Sequence, residues 1–279
     1  MSRSALSPTE AIARAKSIAP DALDPSLSRQ APGVLAAVLA IGAIIGMAAS
    51  LDVDPSVIGK GWDNIVRFLK IMAHPSDGGM PHRIYGAMVE TIAMAVLATA
   101  IAALVAFPLG LLGARTIVGN RVFHFGLRRF LDAFRGAPAL VWALVLVSAV
   151  GLGPLPGVLA MALADIPNMA KLFAEAIENV DERPRDGVRA AGGGDLAGLR
   201  YAVAPQVAPV MASQTLYFLE SNFRNAAVLG IVGAGGIGLE LDERIRVFAF
   251  DQVAYILIVY IICVMALDFM SASLRRRLM

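Results

Sequence analysis

The 279-residue chain is 57% hydrophobic and only 16% charged, with a formal net charge of +2. A soluble surface needs about a quarter charged residues, so a soluble globular protein is excluded, and so small a charge gives no footing to a nucleic-acid partner. Uncharged runs long enough to cross a bilayer make the chain an integral membrane protein.

Residues 1–32 are polar and lack the order of features of a cleaved signal peptide, because the apolar run starts late and no cleavage site follows it. A retained cytoplasmic tail is expected there. Residues 33–51 carry no charge and form a first transmembrane helix. The segment 52–83 is mixed in charge. Within it Trp62, Ile65, Val66, Leu69 and Met72 recur at helical spacing opposite Asp63, Arg67 and Lys70, which predicts a short amphipathic helix at the membrane surface.

The remainder, 84–279, holds the other spans. Residues 91–114 form the second, entered through Glu90 and interrupted by Pro108 and Gly110. Residues 136–164 are too long for one span, and Gly151-Leu-Gly-Pro-Leu-Pro-Gly157 breaks them into a hairpin of two. A fifth span starts over 202–219, and 252–267 is most of a sixth. Lys and Arg concentrate after the second span (Arg115, Arg121, Arg128, Arg129), after the fourth (Lys171, Arg183, Arg185, Arg189, Arg200) and at the C-terminus (Arg275–Arg277). Six crossings put these segments on one side, the cytoplasm, with both termini inside and the acidic 240–243 segment outside.

The three histidines, His74, His82 and His124, are scattered and show no metal spacing, and Cys263 sits alone in an apolar run. A membrane-embedded enzyme would need such groups to converge. Gly233-Ala-Gly235-Gly236-Ile-Gly238 fits the dinucleotide fingerprint G-x-G-x-x-G, with Asp251 at the distance of a ribose-binding acid. The strands that fingerprint requires are missing, so these glycines serve a turn and close packing at the outer mouth of the fifth span. Glu220, Asn222 and Arg224 interrupt the same span. Ionisable groups at that depth face a protein interior or a water-filled cavity. Glu220 and Arg224 are spaced to pair on one helix face, and Asn222 and Arg224 are placed on a translocation path, where Arg attracts an oxyanion. Glu90 is read as a helix-start carboxylate, and Asp165 as a partner for backbone freed by Pro167.

The loop 171–205 is basic and Gly-rich. Pro184 suits the first turn of one short helix, Asp195 can N-cap another, and Gly192-Gly193-Gly194 turns between them. Asp186-Gly187-Val188, then Gly192, then Pro205 resembles the coupling motif E-A-A, three residues, G, nine residues, I-x-L-P of bacterial ABC importer permeases. It departs in Asp for Glu, Gly-Val for Ala-Ala, and Ala202 and Ala204 for the two aliphatics. The stretches from Arg135 to Leu144, from Arg200 to Gln206 and from Glu220 to Gly238 are similar to the phosphonate permease family over about 84–277.

That resemblance implies an all-α, polytopic membrane protein of about six transmembrane helices, with a type I ABC importer core, methionine-type, plus an extra N-terminal helix. It implies a subunit, not an enzyme, that moves phosphonate or a related small phosphorus oxyanion from periplasm to cytoplasm by alternating access; phosphite and methionine-like solutes are the alternatives. The implied location is the bacterial inner membrane. The implied partners are a cytoplasmic ATPase dimer, which carries the ATP and Mg, a periplasmic phosphonate-binding protein, a second permease chain and membrane lipid. The chain has no G-x-x-x-x-G-K-[ST] and binds no cofactor in this reading. Coupling to the ATPase falls to Asp186, Gly187, Val188, Arg189, Gly192 and Pro205, and the gate to Gly233, Gly235 and Gly236.

Overall fold

The computed structural model describes residues 27–50 and 55–278, with Ala13 and Ser17, so most of the expected tail lies outside the described residues. No strand occurs among the described residues. The chain divides into two compact units, Met1–Val66 and Arg67–Met279. In the first, α1 (Leu27–Ser50) contains the apolar run expected from residue 33 and starts before it. Its large side chains from Val34 to Met47 are exposed on all sides, as in a helix surrounded by lipid. The amphipathic helix expected within 52–83 is α2 (Pro55–Met72), which leaves Trp62, Ile65 and Leu69 exposed.

In the second unit α3 (Pro81–Gly113) begins ten residues ahead of the expected span, with Pro81 in its first turn. Its polar start is kept helical because Arg83 reaches two carboxylates, Glu240 and Glu243, each at 2.6 Å. Pro108 is absorbed inside the helix and does not interrupt it. Ala95, Ala98, Ala102 and Ala106 are fully enclosed and recur every three or four residues. Such a small-residue seam lets neighbouring helices approach closely where hydrophobic sorting gives no drive.

The residues expected as a loop after the second span fold as α4 (Arg121–Arg135). Its first turn is capped by Asn120, whose Oδ1 accepts from the N–H groups of Val122 and Phe123 at 3.0 and 3.2 Å. Next comes α5 (Ala139–Val150). At 12 residues it is about 18 Å long and cannot cross about 30 Å of hydrocarbon alone. It meets the length only together with α4, across a bend of 77°. The expected span at 136–150 is therefore corrected: Pro138 ends any straight helix from 136, and the helix that remains is too short to cross by itself.

The hairpin is confined to Gly151–Gly153, both glycines at positive φ, because Pro154 and Pro156 open α6 (Pro154–Glu178). This helix runs past Lys171, so the loop expected over 171–205 starts after Glu178 and not at 171. The loop holds α7 (Arg183–Ala190) and α8 (Asp195–Gly198), and a π-helical turn, Leu199–Val203, leads into α9 (Ala204–Leu229). Pro205 has no N–H to give; the wide turn lets Ala204 donate to the Leu199 carbonyl instead. A kink at Gly230–Ala234, where Val232 and Gly233 leave helical backbone, leads to α10 (Gly236–Arg246), and α11 (Phe250–Leu278) follows.

By length and composition α3, α6 and α11 can each cross a membrane, and the count reaches five if each bent pair is one span, the second pair being bent by 57°. The apolar stretch Gly33–Met47 of α1 stands beside these as a shorter helix. The core lies between α3, α6 and α9, where Met94, Met161 and Leu229 are enclosed. A second cluster joins α3, α9 and α11 through Ile84, Phe223 and Ile256, with Phe223 stacked on Tyr260 at 5.6 Å.

Candidate functional site

Three places carry polar chemistry in the second unit: the elbow between α4 and α5, the break after α9, and the loop around α7. At the elbow, Gly136-Ala137-Pro138 turns the chain and Phe134 stacks on Trp142 at 5.8 Å, nearly parallel, which ties one arm to the other. This gives the stretch from Arg135 to Trp142 a structural reason. A cavity of about 290 Å³ opens there, lined by Arg135, Pro138, Asp165, Asn168, Asn225 and Val228 among others.

Beneath the cavity lies a buried polar chain. Asn222, fully enclosed on α9, donates through Nδ2 to Asp165 Oδ2 at 2.6 Å and to Thr99 Oγ1 at 3.0 Å, and the Thr99 hydroxyl donates to the Ala95 carbonyl. Three helices are thus pinned at one level. Asp165 does not serve the backbone freed by Pro167 as expected: its carboxylate accepts from Asn222, while the neighbouring Asn168 donates to the Ala164 carbonyl at 2.9 Å and not to the Leu163 carbonyl that Pro167 leaves without a donor. Replacing Asn222 by alanine strands the buried Asp165 carboxylate and is expected to cost about 1–3 kcal/mol of stability. Thermal unfolding in detergent reads this directly, and an unshifted midpoint would count against the pinning role.

Glu220 and Arg224 share a face of α9 but do not pair with each other. Glu220 receives Arg275 at 2.6 Å, and Arg224 meets Asp268 at 3.4 Å, so both pairs are made to α11. Glu220 is accordingly beside the C-terminal arginines, not near the acidic segment. Arg224 and Asp268 are each about half exposed, and Asn222 is closed off from any cavity. Arg135, Asn168 and Asn225, which line the cavity at the elbow, were not singled out in the sequence. Arg135 reads there as one more arginine of a basic stretch, and only the bend brings it towards Asp165.

At the break, Gly233, Gly235 and Gly236 have φ of +90°, +81° and +67°. Gly235 abuts Glu90: a Cβ there would fall 2.5 Å from Glu90 Oε1. Glu90 is thus mid-helix against the break and not a helix-start carboxylate. Thr91 Oγ1 accepts from the Ile237 N–H at 2.8 Å, which fastens the new start of α10 to α3. Glu240 and Arg244, both nearly buried, pair within α10, and Arg83 closes the group from α3.

In the loop, Asp186, Gly187, Val188 and Arg189 lie on α7, Gly192 makes the turn at φ +84°, and Pro205 sits in the first turn of α9. Asp195 is the first residue of α8 and not its N-cap; it pairs with Arg189 at 3.5 Å. The base is tied by Gln206, which accepts from the Asp181 N–H at 3.2 Å and donates to the Ala202 carbonyl at 2.9 Å. No group of His, Cys, Asp and Glu fit to hold a metal occurs among the described residues.

Comparison with known proteins agrees with this architecture. The family described as binding-protein-dependent transport system inner membrane component matches residues 106–279. A phosphate-import permease protein of Mycolicibacterium smegmatis is 38% identical over 260 residues, covering 92% of this chain. The chain spans about half, 49%, of that relative's length. A phosphite transport system permease protein of Stutzerimonas stutzeri is 41% identical over 189 residues, covering 68% of this chain and 69% of the relative. A chain of the MetNI methionine ABC transporter, solved in inward-facing conformations, superposes with a TM-score of 0.61 at 20% identity, over 72% of this chain and 98% of its own. The relatives are named as permeases and not as enzymes. On this fold and this match, the chain belongs to the binding-protein-dependent transport system inner membrane components, the permeases of ABC importers with the type I fold.

Proposed function

We propose that this chain is the transmembrane permease of an ATP-driven importer that moves a small phosphorus oxyanion, phosphonate or phosphite, from periplasm to cytoplasm by alternating access. One observation carries the reading: relatives named for phosphate and phosphite import share 38–41% identity with a chain whose elbow cavity is lined by a guanidinium and two amide side chains. Guanidinium and amide N–H groups match the oxygens of such an anion. Asp165, engaged by Asn222, keeps the site from being purely cationic, and a pathway must bind weakly enough to release.

In this reading α7 seats in a separate cytoplasmic ATPase, which supplies ATP and Mg, and a periplasmic binding protein delivers the cargo to a pair of permease chains. Both termini face the cytoplasm of a bacterial inner membrane. Arg224 guides the anion from beside α11, Asn222 holds the helix that lines the cavity, and Gly233, Gly235 and Gly236 shape the outer gate.

The test is reconstitution with the ATPase and binding protein, with phosphonate, phosphite and phosphate compared for stimulation of ATP hydrolysis. Arg135→Gln is expected to lower oxyanion uptake by about tenfold or more, with Arg135→Lys partly restoring it, in keeping with the worth of one charge-assisted contact. Unchanged uptake in Arg135→Gln would remove the elbow cavity from the pathway. Stimulation by none of the three anions would remove the cargo class.

A further inference from the structure

A second, larger cavity of about 770 Å³ lies between α4, the segment preceding it and α6. Six basic side chains line it, Arg115, Arg121, Arg128, Arg129, Arg135 and Lys171, against a single lining carboxylate, Asp132. Some of that charge is already matched. Arg128 bonds Glu178 at 3.2 Å, and Arg129 meets Asp132 at 3.8 Å while lying over the Phe125 ring. Among the described residues, the side chains of Arg115, Arg121, Arg135 and Lys171 form no ion pair. Positive charge is thus left over in a cavity that is open to its surroundings on one side.

The second observation is His124. Its side chain is 7% exposed and lines the cavity, and its Nε2 has no hydrogen-bond partner. The nearest acidic atom, Glu178 Oε1, is 3.9 Å away, beyond hydrogen-bond reach. Glu178 is instead occupied by Arg128 and by the Arg115 N–H at 2.8 Å. A buried polar atom left without a partner costs free energy unless something fills the site. A ligand rich in acceptor oxygens, carrying negative charge, satisfies both the cations and the ring nitrogen.

We propose that this cavity binds a phosphate group, with Arg121, Arg135 and Lys171 as the charge partners and His124 Nε2 meeting one oxygen. Two sources share that chemistry. α4 also exposes Val122, Phe125 and Phe130, with Arg129 among them and over the Phe125 ring, a mix of apolar and basic side chains that suits an anionic phospholipid whose headgroup enters the cavity. Arg135 also lines the elbow cavity, which suits a free oxyanion leaving the pathway; this second source rests on the cargo proposed above.

The experiment uses the full chain purified with its ATPase in detergent. Native mass spectrometry compares retention of phosphatidylglycerol with that of a diacylglycerol of the same chains and no phosphate. Calorimetric titration with inorganic phosphate is the second arm. Wild type is expected to hold phosphatidylglycerol or phosphate, and the diacylglycerol at least about tenfold more weakly. The double substitution Arg121→Ala/Lys171→Ala is expected to weaken the retained probe by a similar factor, while Lys70→Ala, on α2, leaves it unchanged. Retention of phosphatidylglycerol alone identifies the lipid, and a phosphate titration alone identifies the free anion. Should the double variant fold poorly, Arg121→Glu, at an exposed first-turn position of α4, reads the same loss. Equal retention of the two lipids with no phosphate binding overturns the site, as does undiminished binding in the variants. Neither readout depends on uptake, so failure here is distinct from failure of the transport reading.

Discussion

Replacing Glu240 by alanine is expected to destabilise the protein by about 3–5 kcal/mol, since it leaves a buried guanidinium without its main partner. The Glu240 and Arg244 side chains are 8% and 7% exposed and pair across one helical turn. Glu243 stands 3.5 Å from Arg244 but is itself 43% exposed and shared with Arg83, so it compensates only in part. The Arg83 arm is different. Its side chain is 49% exposed, and Arg83→Ala is expected to cost no more than about 1 kcal/mol after solvent screening. Desolvating two charges is itself expensive, so Glu240→Leu with Arg244→Met is expected to fall much closer to wild type than Glu240→Ala alone. Thermal unfolding of the three variants in detergent separates these outcomes. Equal losses in Glu240→Ala and Arg83→Ala would show that the buried pair is not what holds the glycine break.

Placing valine at Gly192 is expected to cut uptake by about tenfold or more, with ATP hydrolysis continuing uncoupled. Gly192 turns the chain at φ +84° between α7 and α8. A β-branched residue there costs about 1–3 kcal/mol and is relieved only if the turn opens. The turn places Gly193 so close to Val188 that an added Cβ would fall 2.6 Å from Val188 Cγ1. Opening it therefore unseats the α7 face proposed to grip the ATPase. Reconstituted vesicles give both readouts together, hydrolysis and uptake. Uptake at the wild-type ratio to hydrolysis in Gly192→Val would take this turn out of the coupling path.

The helical architecture was legible because apolar runs and Gly/Pro breaks report directly on what a bilayer tolerates. The hairpin at Gly151 and the short helix opened by Pro184 follow from backbone rules that need no tertiary context. Where a helix is amphipathic, hydropathy failed: α4 carries Arg121, Arg128, Arg129 and Arg135 and reads as a loop. The resemblance to a coupling motif gave residue positions: Asp186, Gly187, Val188 and Arg189 share α7, Gly192 turns after it, and Pro205 stands apart in the first turn of α9. The partners of charged residues were not legible. Glu220 and Arg224 satisfy the local i,i+4 rule, yet both bind α11, because packing brings Arg275 to the buried Glu220 and Asp268 to the half-exposed Arg224. The elbow cavity was likewise hidden, since Arg135, Asp165 and Asn225 belong to three segments far apart in the chain.

A π-helical turn, Leu199–Val203, stands at the start of α9, while at the other end Gly230–Ala234 is a kink in which Gly233 leaves helical backbone altogether. One residue added to an α-helix rotates everything beyond it by about 100° unless it is taken up locally as a wide turn. The wide turn ahead of α9 is such a place, so a one-residue change of length in the preceding loop can be absorbed there without turning Asn222, Glu220 and Arg224 away from α3, α6 and α11. The kink frees the far end by a different means, since a break in helical backbone carries no angular register across it.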